Sequence, residues 1–208
     1  MSIRPCTAAD VPSILGIVND AAQAYKGVIP ADRWHEPYLP PEQLQRELAD
    51  GVRFWGYESA GQLIGVMGLQ NRGEVALVRH VYVRTALRNR GIGAALLKHV
   101  EASTTKPMLI GTWAAATCAI AFYRKNGYCL LRHEETVRLL MKYWRIPERQ
   151  MATSVVLAGT GWKTRMPRVR QRMIGSMQST HIDWISKPSF FHRTVCQRAA
   201  RASLAGKS

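Results

Sequence analysis

Val81-Tyr82-Val83, followed by Arg88-Asn89-Arg90-Gly91-Ile92-Gly93-Ala94, is the stretch on which the reading of this chain turns. A β-rich run over 75–83 leads into it, and behind it Ile92, Ala95, Leu96, His99 and Val100 recur at helical spacing. The two glycines therefore stand where a strand hands over to a helix. There, backbone N–H groups converge with no side chain in the way and the helix dipole adds its positive end, which suits a cofactor that carries a pyrophosphate. Arg88 and Arg90 bring charge nearby. Glycine turns before helices also serve structure alone, so the turn by itself leaves both readings open.

Upstream, Thr7-Ala8-Ala9-Asp10 has the form of a capping box, and Val11, Ile14, Leu15, Val18, Ala21, Ala22 and Tyr25 follow with helical period, which predicts a helix over 8–25. The next stretch, 26–41, carries four prolines with Trp34, His35, Tyr38 and Leu39, and reads as a long aromatic loop. Pro41 then opens a short helix that Gly51 closes. Runs at 53–57 and 63–69, with turns around Ser59-Ala60-Gly61 and Asn71-Arg72-Gly73, complete an antiparallel meander with 75–83. Downstream the pattern predicts a strand over 108–113, a helix over 115–126 stopped by Gly127, a strand over 128–131 and a last one at 155–157. The fold class is α/β (α+β).

The chain has 208 residues and 47% hydrophobic content, enough for one domain with a sizeable core plus an extension. Its formal net charge is +15, but from residue 159 onward ten Lys and Arg stand against Asp183 alone, so the tail carries +9 and the rest +6. The periodicity also stops near Ala158, which divides the chain into a domain over 1–158 and a basic tail over 159–208. The tail reads as disordered, with a basic amphipathic helix on Met166, Val169, Met173, Ile174 and Met177 as the alternative, one that would touch a membrane or nucleic acid. Cys6, Cys118, Cys129 and Cys196 are scattered without zinc or disulfide-framework spacing, so no metal is expected. No apolar run has the length of a membrane span and the start lacks a leader's layout, which predicts a cytoplasmic protein.

The element Arg88-x-x-Gly91-x-Gly93 after Val81-Tyr82-Val83 resembles the acetyl-CoA pyrophosphate motif of the GNAT acyltransferases. Downstream, Ala119-Ile120-Ala121-Phe122-Tyr123-Arg124-Lys125-Asn126-Gly127-Tyr128 is similar to a second motif of that family, in the correct order. The segment 143–150 before the last strand is similar to a bacterial GNAT subgroup of unknown substrate. Over 3–158 the resemblance implies a GNAT fold: a mixed, mostly antiparallel twisted sheet of six to seven strands flanked by about four helices, with strands 4 and 5 parallel and splayed. It implies acetyl-CoA as co-substrate and direct acetyl transfer to a primary amine, here of a small molecule. Residues 81–83 and 88–94 would hold the cofactor, a backbone N–H near Val81 to Val83 would stabilise the oxyanion, and Tyr123 would protonate the departing thiolate. The family's frequent asparagine before the second helix is Ala116 here, which removes one polar contact to the cofactor.

An ammonium with a pKa of about 10.4 must lose a proton before it attacks. His80, just before the cofactor segment, is the preferred base. A histidine satisfied within the sheet is the other reading of the same residue, and His35, Glu36 or a relayed water are fallbacks. Trp34, His35, Glu36, Tyr38 and Trp55 are candidates for an aromatic acceptor pocket, or else pack the loop on the domain. A homodimer stays open. The rival functions are acetylation of a protein N-terminus, a lysine or an aminoacyl-tRNA captured by the basic tail, and a non-catalytic acyl-CoA-binding module.

Overall fold

The computed structural model describes residues 1–144 and 146–162. Thr7 closes its capping box with Asp10, its N–H donating to the carboxylate at 2.7 Å, and Arg4 of β1 (Ser2–Pro5) clamps the same carboxylate with two bonds of 2.9 Å. The chain is thereby aimed into a 3-10 turn, Ala8–Asp10, that runs into α1 (Val11–Ala22) and then a second turn, Gln23–Tyr25. The helical stretch expected over 8–25 is present with 3-10 ends. Beyond the aromatic loop, α2 (Pro41–Ala49) starts at its proline and ends before Gly51, whose φ is +89°.

The meander follows as β2 (Val52–Ser59), β3 (Gln62–Arg72) and β4 (Val75–Val83). After α3 (Ile92–Ala102) come β5 (Met108–Trp113), α4 (Thr117–Lys125), β6 (Cys129–Leu130), α5 (His133–Tyr143), α6 (Glu148–Met151) and β7 (Ser154–Ala158). Among the described residues the strands form one sheet in the order β1-β2-β3-β4-β5-β7-β6, parallel only where β4 meets β5. The seven strands described and their one parallel pair match the expected architecture. The helices exceed the expected four because α5 and α6 lie between β6 and β7.

Strand alternation divides the core between the two faces of the sheet. On one face Met67, Leu69, Ala76, Val78 and Ile110 pack against Ile92, Leu96 and Val100 of α3 and Tyr123 of α4. On the other, Val52, Phe54, Leu63 and Val66 meet Ile14, Ile17 and Val18 of α1 and Leu44 of α2. Each Val, Leu, Ile, Phe or Met among them contributes roughly 1.5–3 kcal/mol by leaving water. The unanticipated α5 buries Leu139 and Leu140. Its end is tied to the β3–β4 turn, Lys142 donating to Glu74 at 2.6 Å and Tyr143 bonding the same carboxylate. Trp144 then lies on β5, where a Cβ at Gly111 would meet its ring at 3.1 Å.

Packing continues beyond residue 158. The Gly159 N–H donates to the Met108 carbonyl at 3.1 Å, and buried Trp162 donates from its indole to Glu135 of α5 at 2.9 Å. The tail from 163 onward, including the amphipathic pattern over 166–177, lies outside the described residues. No helix among the described residues is long and apolar enough to cross a membrane, and no group of three His, Cys, Asp or Glu among them is placed to hold a metal.

Candidate active site

β4 and β5 pair over three rows, Ala76 with Met108, Leu77 with Leu109 and Val78 with Ile110, and then part. The cause is legible on the other edge of β4. Opposite β3, Val66 pairs with Tyr82 and Gly68 with Arg79, so His80 and Val81 together face Met67. This extra residue is a β-bulge, and His80 takes it up with a φ of +51°. The bulge bends the strand away from β5, so its backbone over 79–83 has no ladder partner on that side among the described residues. An amide-bearing chain can enter there as a strand would.

Below the splay, the turn into α3 carries two positive-φ residues, Asn89 at +64° and Gly91 at +79°. Gly91 occupies the N-cap position, so no side chain caps the helix. The first helical bond runs from the Ala95 N–H to the Gly91 carbonyl at 3.0 Å, which leaves the N–H groups of Ile92, Gly93 and Ala94 without helical acceptors. Alternating left- and right-handed residues of this kind form a concave anion nest. Asn89, Arg90 and Gly91 are exposed there. Arg88 is turned the other way: its guanidinium donates to the Ala21 carbonyl at 2.6 Å, at the end of α1. Asp20 accepts the Thr85 N–H at 2.7 Å, so the loop before the nest is fastened to α1 at two points.

Tyr123 on α4 is buried, edge-on to Phe122 at 5.0 Å and to Tyr128 at 6.0 Å. Its hydroxyl has no hydrogen-bond partner among the described residues. Burial, then the neighbouring Tyr25, push its pKa well up, so the phenol stays protonated. His80 is bonded to a helix and not within the sheet. Its Nε2 is bonded to the carboxylate of Glu47 on α2, and its ring stacks on Phe54 at 5.8 Å. Glu47 also faces Arg79 at 3.5 Å and accepts from Gln43 at 3.0 Å. Burial drives the Glu47 pKa up, but the His80 bond and the charges of His80 and Arg79 outweigh it and hold the carboxyl down at about 2.

Residues 50–129 match the model of the acetyltransferase (GNAT) domain. That span is a GNAT acetyltransferase domain. Among solved structures, the chain is similar to the PaiA N-acetyltransferase of Thermoplasma acidophilum in complex with coenzyme A, at 18% identity over 76% of this chain and 99% of that one, with a TM-score of 0.58. A GNAT-family acetyltransferase of Staphylococcus aureus Mu50 gives 17% identity over 76% and 97%, with a TM-score of 0.56. The ribosomal-protein-S18-alanine N-acetyltransferase of Escherichia coli gives 16% over 76% and 92%, with a TM-score of 0.53. No curated protein sequence matches the chain. At these identities the structural likeness establishes the GNAT fold.

The matched span of the GNAT domain leaves out the aromatic loop and the helical insertion over 131–153. The structure joins most of the loop residues to the site. Trp34 and His35 stack on Tyr38 at 5.6 and 6.2 Å, Tyr38 meets Tyr25 at 6.0 Å, and Tyr25 is edge-on to Tyr82 of β4 at 6.4 Å. Burial, then Tyr38, push Tyr25 up to about 12, with Arg88 pulling the other way, and the same crowding raises Tyr82. Glu36 instead reaches the end of α1, accepting from Gln23 at 3.1 Å and Lys26 at 3.4 Å. Trp55 is not with them: it stands on β2 and packs on the α3 face. Sequence reasoning missed Trp113, whose indole donates to the Tyr38 hydroxyl at 3.4 Å, and Glu47. Ala116 caps α4 without a side-chain bond and packs with Ile29 and Trp113.

Proposed function

We propose that this protein is an acetyl-CoA-dependent N-acetyltransferase that moves an acetyl group to a primary amine of a small molecule by direct attack. The observation that carries the reading is the bulged edge of β4, without a ladder partner over 79–83 among the described residues, together with the uncapped N-terminus of α3 and Tyr123, which packs in one cluster with Val81 and Val83. The three free N–H groups of α3, assisted by exposed Arg90, suit the diphosphate, and Gly91 keeps their approach clear. The edge over 79–83 suits the amide-bearing arm, and an N–H at the bulge is the donor for the carbonyl oxygen as negative charge develops on it. The thioester supplies an electrophilic carbonyl and a thiolate leaving group.

The protein's own residues then have separate tasks. Tyr123, protonated by virtue of its burial, donates its hydrogen toward the sulfur and regains one from the amine as the C–N bond forms. The amine enters neutral, its ammonium proton passing to water in the splay. His80, taken up by Glu47, holds the bulge rather than serving as that base. Calorimetry with acetyl-CoA, followed by thiol release across a panel of primary amines, tests the whole reading. Heat of binding together with amine-dependent release is expected; folded protein that gives no heat would overturn it.

A further inference from the structure

We infer that the acceptor is a primary amine carried on an apolar body without a second charge, seated in a pocket between the aromatic loop and the segment that enters β7. The inference rests on the acetyltransferase reading and narrows it to a substrate class. The pocket has a volume of about 420 Å³, within the range of small-molecule sites. Val28, Ile29 and Pro30 line it together with Trp113, Ala115 and Ala152. None of its lining residues carries a charge. Its threonine, Thr153, spends its hydroxyl on the Gln150 carbonyl at 3.1 Å.

The charges of the adjoining loop are already matched, Glu36 with Lys26 at 3.4 Å and Asp32 with Arg33 at 3.5 Å. A second ammonium or a carboxylate on the acceptor would therefore lose water here and gain no partner, whereas a ring or alkyl body would gain the contact of Trp113 and Ile29. The pocket is also joined to the reacting edge. Trp113 closes β5 just past the last row it shares with β4, and from its indole the Tyr38, Tyr25 and Tyr82 rings lead to the bulged strand. An amine whose apolar end rests on Trp113 lies next to the residue from which this run of tyrosines starts.

The test compares thiol release from acetyl-CoA with 2-phenylethylamine and hexylamine against spermidine and lysine amide, in the full chain and in Ala152→Trp. Ala152 is exposed, so the larger ring fills the pocket from its rim without entering the core. Expected is kcat/KM at least tenfold higher for the apolar amines, and in Ala152→Trp a KM for them raised about tenfold with kcat and the heat of acetyl-CoA binding unchanged. Faster turnover of spermidine or lysine amide, or an unaltered KM in Ala152→Trp, overturns this inference and leaves the acetyltransferase reading standing. Binding of acetyl-CoA with no apolar amine turned over also overturns it. Absence of acetyl-CoA binding removes the acetyltransferase reading instead.

Discussion

His80 of β4 and Glu47 of α2 are bonded side chain to side chain across a sequence separation of 33, imidazole Nε2 to carboxylate. The bond falls on the residue that absorbs the β4 bulge. A non-glycine residue in the left-handed region costs on the order of 1–3 kcal/mol unless its surroundings hold it there. Glu47, the Phe54 ring and the Arg79 side chain supply that hold, so the pair supports the bend that opens the cleft.

This pairing predicts a pH signature. The Glu47 carboxyl is depressed to about 2 from an ordinary 4.5, so its contribution to stability is fully present above pH 4.5 and is lost as pH falls from there toward 2. Glu47→Gln should be less stable than the parent by about 1–3 kcal/mol at pH 7, with the gap closing near pH 2–3. Urea unfolding at both pH values checks it, and a gap that stays constant would refute the assignment. Turnover should fall in the same variant while acetyl-CoA affinity holds, because the bulge and not the nest is disturbed.

Tyr123→Phe removes a hydroxyl that pairs with no neighbour among the described residues, so stability should change little. Thiol release should drop on the order of 10²-fold with the heat of acetyl-CoA binding unaltered. Because burial keeps the phenol protonated, no alkaline limb of the rate profile up to about pH 10 should belong to this residue. Unchanged turnover would leave Tyr123 as packing for α4.

Local signals carried most of the fold. The capping box at Thr7, the glycines opening α3 and the alternation of β2 to β4 each act within a few residues, and each is where the sequence puts it. The helix α5 has equally local signals, since Glu134 and Glu135 occupy its first turn, Lys142 its last, and Thr136, Leu139 and Leu140 share a face. His80 is different in kind. Strict alternation fails at a bulge, and its partner on α2 is remote in sequence, so neither its face nor its role follows from its neighbours. Trp55 packs on the α3 face, away from the loop aromatics, and aromatic content says nothing of which face of the sheet a strand residue takes. Arg88 is a positive charge beside the nest by sequence and a fastening to α1 in three dimensions.

The two glycines of the nest should separate under substitution. At Gly91 a Cβ meets nothing within 4 Å, but the φ of +79° penalises any L side chain, so Gly91→Ala should lose about 1–2 kcal/mol along with acetyl-CoA affinity, and Gly91→Asn less. A Cβ at Gly93 touches the Phe122 ring at 3.4 Å, an ordinary contact. Gly93→Ala should therefore keep its stability while crowding the nest and weakening binding about tenfold. Denaturation and calorimetry on the three variants decide between them.

The flanking arginines should also part company. Arg90 is exposed, so Arg90→Ala should weaken acetyl-CoA binding a few-fold at low salt, an effect that shrinks as salt screens the charge. Arg88→Ala should instead cost roughly 1.5–3 kcal/mol of stability through the lost bond to Ala21, with any binding defect insensitive to salt. Affinity measured at two ionic strengths separates them; matching salt responses would show that both arginines face the ligand.

Two shortened chains test where the packed unit ends. One that stops at Trp162 retains the indole bond to Glu135 and the contacts that cover α5, and is the reference for the other. One that stops at Ala158 loses them, which by comparison with buried tryptophan truncations costs about 3–5 kcal/mol and lowers the melting temperature by roughly 10 °C. Since α5 also carries the latch onto Glu74 and precedes the segment that walls the acceptor pocket, the shorter chain should show a raised KM for amine before it shows a weaker grip on acetyl-CoA. Equal melting of the two would mean that α5 is held by Leu139, Leu140 and the Glu74 contacts without help from Trp162.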